Sequence, residues 1–247
     1  MKYSANLGFL WTELPLPDAI RAAAAAGFDA VECHWPYDTP AEEVAAALAE
    51  TGLPMLGLNT RRGQPGEAGL AALPGRERDA RAAIVEAIAY ADAIDAGAIH
   101  VMAGTVSGPE AQAQFEANLR HACAATPRTI LIEPLNRHDA PGYFLNSTDQ
   151  ARAIIDALAL PNLKLMFDCY HVGRTEGDIT TRLADLLPVI GHVQFAAVPD
   201  RGAPDHGEVN YAFVFGEIAR LGWQPPLGAE YRPGGPTERS LGWMTTL

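Results

Sequence analysis

Short apolar runs alternate with Ala-rich stretches whose apolar positions recur at helical spacing, from one end of the chain to the other. The first strand is expected over about Tyr3 to Leu10, and the first helix over about Pro17 to Ala26, closed by Gly27. Strand Ala30 to His34 follows, then a helix opened by Thr39-Pro40, with Thr as the cap and Pro at the first helical position. Strand Met55 to Asn59 leads through a loop broken by Gly and Pro, Gly63 to Gly75, into a helix over Glu77 to Ala96. Ile84, Ile88 and Ala91 share one face of that helix. Further strands are expected over Ile99–Ala103, Thr129–Leu135, Leu163–Phe167, His192–Ala196 and Leu227–Tyr231. Between them lie helices over Pro109–Ala124, Thr148–Leu158, Ile179–Leu187 and Tyr211–Leu221. A short tail closes the chain.

Strands that alternate with helices pair in parallel through right-handed crossovers. Eight units in 247 residues, about 31 each, match the size of a closed α/β barrel, the (β/α)8 TIM barrel. The rival, an open doubly wound sheet, usually has a Gly-rich phosphate turn after its first strand, and Asn6-Leu7-Gly8-Phe9-Leu10 is not one. No linker or composition break divides the chain, so residues 1–247 read as a single TIM-barrel domain.

Charge narrows the partners. A formal charge of −12 argues against nucleic acid or an anionic membrane, since neither polyanion attracts a net anion. No apolar stretch is long enough to span a bilayer, and the N-terminus lacks the apolar core of a signal peptide. Three scattered cysteines, Cys33, Cys123 and Cys169, form neither a disulfide framework nor a zinc ribbon. A reduced, cytoplasmic protein is the expectation. A homo-oligomer is compatible with the sequence, which does not fix the state.

In a parallel barrel the chemistry collects at the C-terminal ends of the strands. Four consecutive strands carry an oxygen ligand there: Glu133 after Ile130-Leu131-Ile132, Asp168 after Leu165-Met166-Phe167, Gln194 in His192-Val193-Gln194-Phe195, and Glu230 after Leu227-Gly228-Ala229. Three of these are carboxylates, and a carboxylate in an apolar run costs several kcal/mol unless neutralised. The only lysines are Lys2 and Lys164, and no arginine lies within these strand ends. A divalent cation held by Glu133, Asp168, Gln194 and Glu230 resolves the imbalance. An all-oxygen set suits Mg²⁺ or Mn²⁺ better than Zn²⁺.

Three residues beyond Asp168, His171 is expected in the loop above the same rim, where it can polarise a substrate oxygen. A histidine merely bonded to loop backbone is the competing reading. Arg201, in the loop after the seventh strand, suits bidentate capture of a carboxylate, against the alternative of a solvated surface charge. Asn6, Glu32, His34 and Asn59 face the same rim with no role fixed by spacing. His100, His121, His138 and His206 lack ligand-like spacing and read as structural. Cys169, beside Asp168, should point away from the metal. Signatures for a serine-hydrolase elbow, a zinc-protease helix and a phosphate loop are all missing.

Two glutamates on one metal, from the fifth and eighth strands, lie on opposite sides of a substrate bound through two oxygens. Such a site supports proton removal next to a carbonyl and its return to the neighbouring carbon, an enediol-type isomerisation or epimerisation.

Several segments resemble the hydroxypyruvate isomerase family of the xylose-isomerase-like TIM barrels. They include Ser4-Ala5-Asn6-Leu7, Gly69-Leu70-Ala71-Ala72-Leu73-Pro74-Gly75-Arg76-Glu77 and His100-Val101-Met102-Ala103-Gly104. The others are Ile132-Glu133-Pro134-Leu135-Asn136, Phe167-Asp168-Cys169-Tyr170-His171, His192-Val193-Gln194 and Gly207-Glu208-Val209-Asn210-Tyr211. The resemblance spans nearly the whole chain, and the Gly69–Glu77 stretch is its most specific part. It implies a metal at Glu133, Asp168, Gln194 and Glu230, proton transfer by Glu133 and Glu230, and substrate contacts from His171 and Arg201. It implies a small hydroxy-oxo acid substrate: hydroxypyruvate, converted to 2-hydroxy-3-oxopropanoate, or a four-carbon 2-oxo-tetronate. Related ketose 3-epimerases carry His where Gln194 stands, which weighs against epimerisation. Ala197 and Asp200 depart from the family's usual Asp and Gly in the substrate loop. Two other readings compete, a sugar-acid binding protein without catalysis and a zinc-cluster DNA-repair endonuclease of the same superfamily. The paired glutamates disfavour the first, and the seven scattered histidines with the −12 charge disfavour the second.

Overall fold

A computed structural model describes residues 1–247. Eight parallel strands follow one another around a sheet: β1 (Tyr3–Asn6), β2 (Ala30–Glu32), β3 (Gly57–Asn59), β4 (Ala98–His100), β5 (Thr129–Ile132), β6 (Leu163–Asp168), β7 (Ile190–Phe195) and β8 (Leu227–Ala229). β1 pairs with both β2 and β8, and a bridge from Val31 to Met55 joins β2 to the approach to β3. These contacts bring the ends of the sheet together as a barrel. Around it lie α1 (Leu16–Ala25), α2 (Ala41–Thr51), α3 (Glu77–Ala93), α4 (Pro109–Ala125), α5 (Thr148–Leu158), α6 (Cys169–Thr175), α7 (Ile179–Leu186) and α8 (Tyr211–Arg220). No helix is long and apolar enough to cross a membrane.

The strands are shorter than the apolar runs that encode them, for reasons written in the side chains. β1 stops at Asn6, whose carbonyl accepts the Phe9 and Leu10 N–H groups and whose Oδ1 accepts that of Gly8. β5 stops at Ile132 because Pro134 has no N–H to continue the ladder. The second helix begins one residue later than the Thr39-Pro40 pair suggests. Pro40 is the cap and Thr39 is extended, its carbonyl committed to the Tyr90 hydroxyl at 2.8 Å. α5 starts where Ser147 accepts the Gln150 N–H, matching the expected helix.

The tail is not loose. Residues Thr237–Thr245 wind as a 3-10 helix and seat Trp243 with no exposed surface among Tyr3, Phe28, Phe195 and Tyr231. Burying an aromatic of this size is worth about 1.5–3 kcal/mol, which secures the barrel wall beneath β1 and β8.

Candidate active site

Parallel register places the polar residues side by side. Asn6 pairs with Glu32, Asp168 with Gln194, and Gln194 with Gly228. Glu133 and Glu230 sit one residue beyond β5 and β8. Glu133, Asp168, His171 and Glu230 each bring one ligand atom within 4.8 Å of the others, all four side chains buried. The structure therefore joins five of the six residues singled out in the sequence through direct proximity: these four and Arg201. The sixth, Gln194, lines a small separate cavity together with Glu32, Glu133 and Glu230.

His171 does not lie in a loop. Asp168 Oδ1 accepts the Tyr170 N–H at 2.8 Å and caps α6, so three residues make nearly one helical turn and return His171 over Asp168. Its Nε2 is 3.6 Å from Asp168 Oδ2 and 3.7 Å from Glu133 Oε1. Nδ1 accepts the Asn136 backbone N–H at 2.9 Å. That bond assigns the proton of the neutral ring to Nε2. Burial lowers the pKa to about 3, so the ring is neutral. A neutral imidazole with Nε2–H facing the carboxylates can donate to an oxygen but offers no lone pair to a cation.

No arginine lies within the strand ends, but Arg201, expected to face a substrate carboxylate, reaches the site's own carboxylates from its loop. It adopts a left-handed backbone conformation, with φ of 60°, and turns its guanidinium into the site. One end lies 2.5 Å from Glu230 Oε2 and 3.9 Å from Asp168 Oδ2. The rings of Phe9 and Tyr170 hold the group at 4.6 and 5.0 Å.

The two glutamates differ sharply. Burial and the charges of Glu230 and Asp168 push Glu133 well above the ordinary carboxylate range. Glu230 is just as buried, yet Arg201, with His34 at 2.9 Å, holds it well below that range. Asp168 is pushed up to about 7 by burial and then by Glu230.

A cation fits this set. Glu133 Oε1, Asp168 Oδ2 and Gln194 Oε1 are buried acceptors with no hydrogen-bond partner. Each orphaned acceptor costs about 1–3 kcal/mol, and a hard cation among the clustered carboxylates would satisfy those of Glu133 and Asp168. Above the carboxylates opens a cavity of about 590 Å³, whose lining includes Phe9, His34, Trp35, His100, His171 and Arg201. Arg62 and Arg232 stand exposed at its mouth without ion-pair partners, Arg62 over the Trp35 ring at 4.9 Å.

Residues 20–247 match the xylose isomerase-like TIM barrel family. The chain belongs to that family. It is 43% identical to a 2-oxo-tetronate isomerase from Cupriavidus necator, over 98% of this chain and 97% of that protein. It is 36% identical to the hydroxypyruvate isomerase of Escherichia coli, over 99% of this chain and 98% of that one. A solved structure of an AP endonuclease, family 2, from Brucella melitensis is 35% identical and superposes with a TM-score of 0.95, covering 99% of this chain and 98% of that one. The two curated relatives are isomerases, and this member of the xylose isomerase-like family is an enzyme of that class.

Several residues gain a place that spacing did not give them. His100 is not a remote structural histidine. It ends β4, its Nδ1 is 3.6 Å from Glu133 Oε2, and neither ring nitrogen has a hydrogen-bond partner. The expected strand ran on to Ala103, which hid His100 in mid-strand when it is a strand-end residue like Glu133. Glu32 lies below the carboxylates, accepting from His192 at 2.8 Å, Gln194 at 2.7 Å and Asn6 at 3.0 Å. Asn6 also donates to Glu230 at 3.1 Å. Cys169 is buried in the apolar core, as its position next to Asp168 suggested, and burial raises its thiol well above the ordinary range.

Proposed function

We propose that the protein interconverts an aldose-like and a ketose-like form of a small hydroxy-oxo acid, with Glu133 and Glu230 as the acid/base pair. Hydroxypyruvate, giving 2-hydroxy-3-oxopropanoate, is the substrate that the family resemblance implies, with the four-carbon 2-oxo-tetronates as the alternative. The observation that carries the reading is the placement of these two glutamates. Both are buried, both line the cavity, and each brings a carboxylate oxygen within 4.8 Å of the other and of Asp168, so two groups able to take and give a proton meet at one centre.

Glu133, Asp168, Gln194 and Glu230 would hold a divalent cation, Mg²⁺ or Mn²⁺, which when bound polarises the carbonyl and stabilises charge developing on its oxygen. Glu230, kept ionised by Arg201 and His34, takes the proton from the carbon that bears the hydroxyl. The electrons of that C–H bond form the carbon–carbon double bond of an enediolate. Glu133 delivers a proton to the former carbonyl carbon from the other side. The hydroxyl hydrogen passes to the former carbonyl oxygen, so the product is an isomer with no atom gained or lost. His171 Nε2–H is placed to donate to a substrate oxygen throughout, since its other nitrogen is fixed by Asn136.

The acid group of the substrate is matched by the mouth. Arg62 and Arg232, two arginines without ion-pair partners, line the cavity in a chain of net charge −12, which gives a small anion a local cationic contact. Two exposed arginines at a pocket mouth suit a small anion and offer no track for a polynucleotide.

The test is NMR in D₂O with the Mn²⁺- or Mg²⁺-loaded enzyme, hydroxypyruvate first and a 2-oxo-tetronate second. Deuterium entering the carbon next to the carbonyl, with aldehyde appearing, supports the reading, and the faster substrate fixes the chain length. Retention of both substrates without exchange by a metal-loaded enzyme overturns it.

A further inference from the structure

The carboxylate of Glu32 plays no part in the proton transfers described above, yet it is buried under the centre of the site. Three N–H donors converge on it: His192 Nε2 at 2.8 Å, Gln194 Nε2 at 2.7 Å and Asn6 Nδ2 at 3.0 Å. Space for it is built into the barrel. A Cβ on Gly228 would lie 2.7 and 2.8 Å from its two oxygens and 2.8 Å from Gln194 Cγ, so any larger residue would push Glu32 and Gln194 out of place.

An amide ligand has a weakness that a carboxylate or an imidazole with a fixed tautomer does not. Its oxygen and nitrogen ends are nearly the same size, so packing alone cannot decide which end faces a cation. The wrong end presents N–H hydrogens to positive charge. In this structure Gln194 Nε2 is bonded to Glu32 and Gln194 Oε1 is the end left without a partner. A carboxylate only accepts, and so tolerates only the NH₂ end.

We infer that Glu32 is a positioning residue that locks the Gln194 amide with its oxygen toward the cation. Through Asn6, whose Oδ1 is fixed by the Gly8 N–H and whose Nδ2 also reaches Glu230, the same carboxylate ties a second member of the ligand set. His192 holds Glu32 from below. The inference rests on the proposed reading of Gln194 as a cation ligand. It identifies, for an amide in a ligand set, the outer partner that such a ligand requires.

The experiment is Mn²⁺ binding to the full chain, followed by EPR of the free ion, with melting temperature recorded alongside. Three variants are compared with the wild type: E32Q, Q194A and the double variant E32Q/Q194E. The inference expects E32Q to bind Mn²⁺ about 10–100-fold more weakly with its melting temperature within a few degrees of wild type, because a glutamine at position 32 can also donate to the oxygen of a flipped Gln194 amide. It expects the double variant to recover most of the affinity. There the amide introduced at position 32 donates to the carboxylate introduced at position 194, and both ends of that carboxylate are oxygens. Wild-type affinity in E32Q, with Q194A weakened, overturns the inference alone. Wild-type affinity in Q194A overturns the reading of Gln194 as a ligand and the inference with it. Should E32Q fail to fold, E32D is measured in its place, because its shorter carboxylate withdraws from the Gln194 amide while keeping the charge. Weakened Mn²⁺ binding in E32D supports the orienting role, and wild-type affinity overturns it.

Discussion

Glu32 and Glu133 are two buried glutamates at the rim ends of strands in the same barrel, and their environments differ in one respect. Glu32 receives three N–H donors, including His192, and its carboxyl lies below the ordinary range despite burial. Glu133 receives none at Oε1, faces two other carboxylates, and lies well above that range. Burial is shared, so the partners decide the charge state. The histidines repeat the contrast. His192, against Glu32, is raised by that charge despite its burial, whereas His100, near Glu133 with no bonded partner, is lowered to about 4 chiefly by burial. The lower layer is a closed hydrogen-bond network and the upper layer is an open one. The upper layer therefore has acceptors to offer an ion and protons to offer a substrate.

The widest effect should come from the ion that the open layer invites. A chelator should abolish turnover, and Mn²⁺ or Mg²⁺ should restore it. Undiminished turnover after metal removal verified by elemental analysis would show that the open acceptors serve something else. Next in size is the acid/base pair. Glu230→Gln should leave the melting curve nearly unchanged while turnover falls about 10²–10⁴-fold, the usual worth of a positioned acid or base. Activity within threefold of wild type would remove Glu230 from the proton path.

The sequence made one of these layers far more legible than the other. Glu133, Asp168 and Glu230 each interrupt or end an apolar run, a contradiction that has to be resolved by function or by pairing. The strand order then puts them on one rim. Gln194 could be read in the same way because it interrupts the run His192-Val193-Gln194-Phe195, and the structure sets it in register beside Asp168. The closed layer left no such mark. Glu32 also ends a strand, but its partners His192 and Gln194 are 160 and 162 residues away, and nothing local shows that three donors meet there. Arg201 was legible as a candidate, but not its insertion against Glu230, which depends on a loop conformation. His100 was missed through a boundary error of three residues. His171 was read on the correct rim but in a loop, because the Asp168 cap that starts α6 also serves as a site residue.

The contrast between the layers should also appear as a pH dependence in metal-free protein. His100 is neutral in the fold, with its pKa lowered to about 4, while the unfolded chain takes up the proton near 6.5. Its contribution is therefore fully present above about pH 6.5 and is lost as the pH falls toward 4, to an extent on the order of 3 kcal/mol. His192 has the opposite sign: its pKa is raised in the fold, so its contribution is present below 6.5 and fades as the pH rises through the folded value. Urea unfolding with chelator should show the change in stability from pH 7 to pH 5 to be less favourable in the wild type than in His100→Gln, since the raised carboxyls of Glu133 and Asp168, which gain stability in acid, are common to both proteins. Equal changes in the two proteins would mean that His100 carries no acid sensitivity in the open layer.

The smallest effect expected is at the mouth, where charge meets solvent. Arg232 is exposed, has no ion pair, and lines the cavity with Arg62 and Arg201. An exposed guanidinium facing a small anion contributes modestly because water and salt screen it, at most about 1 kcal/mol in the usual range. Arg232→Ala should accordingly raise KM about 3–5-fold with kcat unchanged, and the increase should shrink as salt is added. A change in kcat instead of KM would place Arg232 at the reacting carbons, not at the acid end of the substrate. A salt-independent KM effect would point to lost shape at the mouth, since only an interaction between charges is screened by ions.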